Sequence, residues 1–113
     1  TPLWGCAGTP RPRPVAVISH VVFVDLADPA DLPAALADSD AMLASIPSVA
    51  SYSAGVHLDT GRDSVLADYD VGIVLGFDSV EDLAAYVAHP DHVAFVERWM
   101  PRITGLRVYD IHD

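Results

Sequence analysis

One tyrosine and two histidines lie close together in the C-terminal half of the chain. The stretch AAYVAHPDHVAF, residues 84–95, contains Tyr86, His89 and His92, and Pro90 stands between the two histidines. An imidazole titrates near neutral pH and can accept a proton from carbon beside a carbonyl group, while a phenol can donate to an oxygen that becomes negative. These residue types are suited to acid–base chemistry on a carbonyl compound, provided that their side chains meet.

Helical geometry alone does not bring the tyrosine and the second histidine together. Tyr86 and His89 are three residues apart and lie on neighbouring rows of a helix, whereas six residues separate Tyr86 from His92, about 120° apart around a straight helix. Because the residue before a proline is pushed out of the α region, we expect a break at Pro90 to redirect His92 towards Tyr86. His89, just before the proline, is interpreted as a cap or hydrogen-bond anchor.

The surrounding chain alternates between strand and helix patterns. We predict strands over 15–26, 49–58, 69–77 and 104–111 from their alternating or β-branched residues. Between them we predict a helix from Asp31 to before Pro47, a helix capped by Asp78, and a segment capped by Asp91 that ends near Trp99. The order β-α-β-β-α-β predicts an α+β fold, a ferredoxin-like βαββαβ sandwich with helices on one face of the sheet.

The other face of this sheet is apolar as well. The first strand is apolar on both sides, and the third, YDVGIVLGF, places Gly72, Val74 and Gly76 on its second side. Monomers rarely expose an apolar patch of more than a few hundred Å², so we predict a homodimer in which a second copy covers this face and completes a dimeric α/β barrel. The two glycines either allow close packing or leave volume for a ligand.

We therefore expect a cavity at the sheet interface that binds a small apolar or carbonyl-bearing molecule. The residues predicted to line it are His20, Val22, Gly72, Val74, Gly76 and His89.

Composition excludes several classes of function. Sixteen acidic residues against six basic ones give a formal charge of −10, which repels nucleic acid, and no apolar run reaches the roughly 18 residues of a membrane span. The five histidines lack the spacing of a metal site, and no phosphate-binding glycine loop or dinucleotide motif is present, so we predict no metal and no cofactor. The single cysteine, Cys6, forms no intramolecular disulfide, which favours a cytoplasmic protein.

The first fourteen residues, TPLWGCAGTPRPRP, differ from the rest of the chain. Four prolines and no hydrophobic periodicity predict a flexible N-terminal arm over residues 1–14, followed by one domain over residues 15–113. Leu3 to Cys6 loosely resembles a bacterial lipoprotein cleavage box. An alternative to the cytoplasmic location is therefore a lipoprotein anchored through Cys6.

The histidine-rich stretch also resembles a known family. Phe77-Asp78-Ser79-Val80-Glu81, followed by Tyr86 and by His89-Pro90-Asp91-His92-Val93, is similar to the signature of the Dabb family, the stress-responsive dimeric α/β-barrel domains. Ser19-His20, Ile46-Pro47 and Gly55 fit the same pattern, and the resemblance covers about residues 15 to 111.

The resemblance implies a fold and leaves the activity open, because most of the family has no assigned reaction. One member, the plant olivetolic acid cyclase, is a cofactor-free polyketide cyclase, and the similarity to it implies that Tyr86 and His92 act at the reacting centre and that His20 lines the same cavity. A further polar residue of that enzyme falls near Val71 here, so the match is incomplete. The alternatives are a catalytically silent binding pocket, a purely structural stress-associated oligomer, and a cofactor-independent monooxygenase. The last of these is supported only by Trp99 and by the general architecture.

Overall fold

A computed structural model describes residues 17–113 of the chain. The predicted arm over residues 1–14 and the proposed anchor at Cys6 lie outside the described residues. The elements follow the predicted order: β1 (Ile18–Leu26), α1 (Leu32–Met42), β2 (Ser51–Gly55), β3 (Val71–Phe77), α2 (Val80–Ala88), α3 (Pro90–Trp99) and β4 (Ile103–His112). Short 3₁₀ turns over Pro29–Asp31 and Met100–Arg102 precede α1 and β4.

The four strands form one antiparallel sheet in the order β2-β3-β1-β4. This is the ferredoxin-like α+β fold that the sequence predicted. The helices cover one face of the sheet, where alternate residues of β1 and β3 are buried. Cross-strand pairs on this face include His20 with Leu75 and Val22 with Ile73, so the histidine lies on the helix side of the sheet.

The opposite face of the sheet carries apolar and aromatic side chains that no helix covers. Val74 is 45 % exposed and Tyr109 is 55 % exposed, which confirms the apolar second face. Phe23 packs against Tyr69 with ring centroids 4.7 Å apart, and a Cβ at Gly72 would lie 3.2 Å from the Tyr69 ring. Gly72 therefore makes room for a side chain of its own protomer, the close-packing interpretation of this glycine.

Two helix caps differ from the sequence-based prediction by one or two residues. α2 is capped by Ser79, whose hydroxyl oxygen accepts from the amide of Asp82 at 3.0 Å, so the prediction of Asp78 as the cap was wrong. α3 is capped by His89, whose Nδ1 accepts from the amide of Asp91 at 3.0 Å, and not by Asp91 itself. The interpretation of His89 as a cap is thus confirmed.

None of the helices within residues 17–113 is both long enough and apolar enough to cross a membrane.

Candidate functional site

A cavity of about 250 Å³ lies between the sheet and the helices of one protomer. The cavity is open to solvent on one side. Several of its lining residues are exposed there, namely Val96, Met100, Leu106 and Val108. The complete lining consists of His20, Val22, Val24, Leu26, Ala35, Leu43, Val71, Ile73, Tyr86, Val87, His92, Phe95, Val96, Trp99, Met100, Ile103, Leu106 and Val108. Only four of these side chains carry a nitrogen or oxygen atom, so the cavity is apolar with a few polar groups.

Three of the polar side chains form one corner of the cavity. Tyr86 stands in the middle: the centroid of its ring lies 4.6 Å from the His92 ring and 5.8 Å from the His20 ring. Tyr86 is 2 % exposed, and it also packs on Phe77 at 5.2 Å. The break before Pro90 therefore brings the rings of Tyr86 and His92 together, as we expected from the position of the proline.

The local backbone fixes which nitrogen of His92 carries the proton. His89 adopts φ −64° and ψ 139°, an extended conformation that ends α2 and lets α3 start in a new direction. The Nδ1 of His92 then lies 2.9 Å from the carbonyl oxygen of Val87 and donates to it. Since a neutral imidazole has one protonated nitrogen, this bond leaves Nε2 of His92 with a free lone pair.

Burial favours the neutral form of this imidazole. Desolvation lowers the pKa of His92, its hydrogen bond to the Val87 carbonyl acts in the opposite direction, and the neighbouring His20 adds a further lowering effect. A histidine that is neutral at physiological pH can act as a general base through its free nitrogen.

The second histidine of the corner is held by a carboxylate on the neighbouring strand. Nδ1 of the buried His20 donates to the carboxylate of Asp110, which is its cross-strand partner on β4. This contact engages Nδ1 and fixes the orientation of the His20 ring, so that Nε2 is the ring nitrogen left for another partner. A carboxylate orients a catalytic imidazole in the same way.

Tyr86 supplies a hydroxyl group that no side chain or backbone group binds within residues 17–113. Burial raises the pKa of Tyr86, so that the phenol stays protonated and remains a hydrogen-bond donor. Tyr52 offers a contrast, because its hydroxyl bonds both Ser39 and Asp40 at 2.7 Å. Buried tyrosine hydroxyls usually have a partner, so the free hydroxyl of Tyr86 is available to a ligand.

The structure brings together only part of the predicted site. Tyr86, His92, His20 and Val22 line one cavity. The other residues predicted to line the site do not line this cavity. His89 caps α3, and Gly72, Val74 and Gly76 lie on the uncovered face of the sheet. This cavity lies on the helix side of the sheet, because the strand register aligns His20 with Leu75 on that face. The cavity predicted between the sheets of two protomers stays a prediction.

The sequence matches the model of one protein family, the stress responsive A/B barrel domain known as Dabb, over residues 18–113. The chain belongs to the Dabb family. This result confirms the resemblance seen in the sequence, and it covers the whole of the described fold, including the corner of Tyr86, His20 and His92.

Solved structures with the same fold agree with this assignment. This Dabb domain is similar to a Dabb family protein with a ferredoxin-like fold from Mesorhizobium loti, with 26 % identity and a TM-score of 0.72 over 85 % of this chain and 95 % of that one. A dimeric ferredoxin-like protein of unknown function from Thermobifida fusca has 22 % identity and a TM-score of 0.71, over 85 % and 90 % of the two chains. A hydroxynitrile lyase from Passiflora edulis has 16 % identity and a TM-score of 0.73, over 88 % and 95 %. No curated protein matches the sequence.

One polar residue of the Dabb domain, Asp110, escaped the sequence-based prediction of the site, and another, Trp99, was named only in support of a monooxygenase. Asp110 lies 90 residues from His20 along the chain, and only the pairing of β1 with β4 reveals the contact. Trp99 lines the cavity, and its Nε1 donates to Asp38 of α1 at 2.9 Å. A cluster of three or more side chains able to hold a metal ion does not occur within residues 17–113.

Proposed function

We propose that this Dabb domain binds a compact apolar molecule that carries a carbonyl group, in the cavity between its sheet and helices. The observation that carries the proposal is the corner of Tyr86, His92 and His20, which concentrates the polar groups of an otherwise apolar cavity at one point. Small-molecule sites have this composition: mostly apolar walls, with a few polar groups that orient the ligand.

The size of the cavity limits the ligand. An engineered apolar cavity of about 150 Å³ holds benzene. The cavity here, at about 250 Å³ and open on one side, has room for a substituted single ring or a short alkyl chain. The carbonyl oxygen of such a ligand would accept from the Tyr86 hydroxyl while its apolar part packs against Ile73, Phe95 and Val108.

The same corner can transfer a proton. Nε2 of neutral His92 is the base that would remove a proton from the carbon next to the carbonyl, and the Tyr86 hydroxyl would stabilise the negative charge that develops on the oxygen. This chemistry underlies cofactor-free aldol condensations, so a polyketide cyclase or related lyase is the enzymatic form of the proposal. A pocket that binds without reaction is the other form.

We also propose that the protein is a homodimer whose two sheets face each other. The uncovered face exposes Val74, Tyr109 and Ile111, and Phe23 and Val21 lie between them. Covering this apolar surface would stabilise the pair of protomers. The similar protein from Thermobifida fusca is described as dimeric, which supports a homodimer here.

A series of phenylalkanones tests both forms of the ligand proposal. Binding of acetophenone, 4-phenyl-2-butanone or 6-phenyl-2-hexanone raises the melting temperature, because a ligand that binds only the folded state stabilises it. In D₂O, proton abstraction appears in NMR spectra as deuterium at the carbon next to the carbonyl. We expect Tyr86→Phe to weaken binding and His92→Ala to abolish exchange, while His57→Ala, at an exposed histidine outside the lining, changes neither.

The outcomes separate the candidate functions. Binding together with exchange that depends on His92 supports the enzymatic form, and binding without exchange supports the silent pocket. If no member of the series binds to the wild type, the ligand proposal fails and a purely structural role of the oligomer gains support.

A further inference from the structure

Helix α1 forms part of the cavity wall and is held by both apolar and polar contacts. Of its eleven residues, Ala35 and Ser39 are buried, and Leu32 and Leu36 are partly buried and pack against the core. Burial of apolar side chains attaches α1 to the core but has no preferred direction. Hydrogen bonds of its polar side chains add contacts with a defined geometry.

Three consecutive polar residues of α1 provide such contacts. Ser39 and Asp40 both bond the hydroxyl of Tyr52 on β2, at 2.7 Å each. Asp38 points to α3 instead. One of its oxygens, Oδ2, accepts from Nε1 of Trp99 at 2.9 Å and from Nη1 of Arg98 at 3.0 Å.

The bond from Trp99 matters for the cavity because the indole is part of its lining. Trp99 is 7 % exposed and lines the cavity together with Ala35 and Leu43 from the region of α1. Within residues 17–113 its Nε1 donates to Asp38, and the other polar groups of the lining are in the corner around Tyr86. The carboxylate thus holds the indole against α1 and away from the cavity space.

Loss of this acceptor would leave a buried indole N–H without a partner, which is costly in an apolar environment. Water is available at the open side of the cavity, next to the exposed Met100. An indole that turns to reach this water enters the space that a ligand would occupy. The cavity would become shorter although no residue in its lining had changed.

We propose that Asp38 determines the length of the ligand that the cavity admits, by fixing the Trp99 indole as its wall. Asp38 does not line the cavity and acts through Trp99, so it is a positioning residue. The inference rests on the proposed function of the cavity and goes beyond it, because it names a residue outside the site that controls its selectivity.

The phenylalkanone series measures this effect as a ratio of affinities. Acetophenone and 6-phenyl-2-hexanone differ by four methylene groups in the chain, and loss of burial for even two of them corresponds to roughly a tenfold change in Kd. In Asp38→Ala we expect the affinity for 6-phenyl-2-hexanone to fall by about tenfold relative to acetophenone. Asp38→Asn should keep the wild-type ratio, because its amide oxygen still accepts from the indole.

Two matched variants separate the indole bond from other losses. Arg98→Ala removes the ion pair with Asp38 and leaves the indole bond, and Asp40→Ala removes the neighbouring carboxylate, which bonds Tyr52. Both should keep the wild-type ratio of affinities. In a Trp4→Phe background Trp99 is the single tryptophan, and its quenching by acrylamide should increase in Asp38→Ala alone.

The results distinguish this inference from the proposed function. An unchanged affinity ratio in Asp38→Ala, with binding intact, would overturn the role of Asp38 and leave the ligand proposal standing. The same change in Asp38→Ala and Asp40→Ala would also overturn it, because any loosening of α1 would then suffice. If the wild type binds no member of the series, the proposed function fails first and the length selectivity fails with it.

Discussion

The hydroxyl of Tyr86 can be tested separately from its ring. Tyr86→Phe keeps the ring contacts with Phe77, His20 and His92 and removes an oxygen that has no hydrogen-bond partner within residues 17–113. We expect the free energy of unfolding to change by less than about 0.5 kcal/mol, since no protein partner is left unsatisfied. Tyr86→Ala, by contrast, removes a ring that is 2 % exposed and should cost about 3–5 kcal/mol.

Tyr52 provides the matched control for the same chemical change. Its hydroxyl bonds Ser39, which is fully buried, and Asp40. Tyr52→Phe therefore leaves a buried partner unsatisfied and should cost about 1–3 kcal/mol. Tyr52 also titrates differently from a free phenol, because burial and the nearby Asp40 raise its pKa to about 12 even though its bond with Ser39 acts to lower it.

The assay is urea unfolding followed by far-UV circular dichroism, with the slope of the transition checked for each variant. If Tyr86→Phe proves as costly as Tyr52→Phe, the hydroxyl has a partner in the fold and is not free to bind a ligand. That result would remove the main support for the orientation of a carbonyl group in the cavity.

Three further predictions test the remaining features. Ser79→Ala should lower the free energy of unfolding by about 1 kcal/mol, because it removes the cap of α2, whereas Asp78→Ala should have less effect; equal losses in urea unfolding would contradict the assigned cap. Because burial lowers the pKa of His92 below its usual value near 6.5, the unfolded chain binds more protons than the folded one as the pH falls below that value, and stability should decrease there. His92→Gln should reduce this loss between pH 7.5 and 5.5, and an unchanged pH dependence would refute the assignment. Val74→Arg should dissociate the proposed dimer in analytical ultracentrifugation, whereas Val93→Arg, at a position of similar exposure on α3, should not; a dimer that persists in Val74→Arg would show that its interface lies elsewhere.

The element order could be predicted because its signals are local. Alternation defined the strand that contains Ile73, and Pro90 marked the break between two helices. The cap of α2 was misplaced by one residue because Asp78 and Ser79 are both good N-cap residues, and only the backbone conformation decides between them.

The candidate site was only partly predictable because its other members depend on strand register. Tyr86 and His92 belong to one short stretch, so spacing and a helix break were sufficient to pair them. His20 could be placed on a strand, but which residues of β3 lie beside it depends on a pairing that a single sequence does not reveal. Gly72 and Val74 lie on the uncovered face, as predicted, but shifting the register by one residue moves every side chain to the other face, so the sequence did not reveal that His20 and Val22 lie on the opposite face from these two residues.

The junction of α2 and α3 has a consequence for the proton transfer that we propose. In an uninterrupted helix the carbonyl oxygen of Val87 would accept from the amide of Asp91, but here that amide bonds His89 and the oxygen is left for the His92 imidazole. A residue that straightened the chain at Pro90 would return the oxygen to the backbone and turn His92 away from Tyr86. The pairing of base and phenol would then disappear while every side chain of the cavity kept its identity, so that inspection of those side chains alone would fail to recognise an inactive relative.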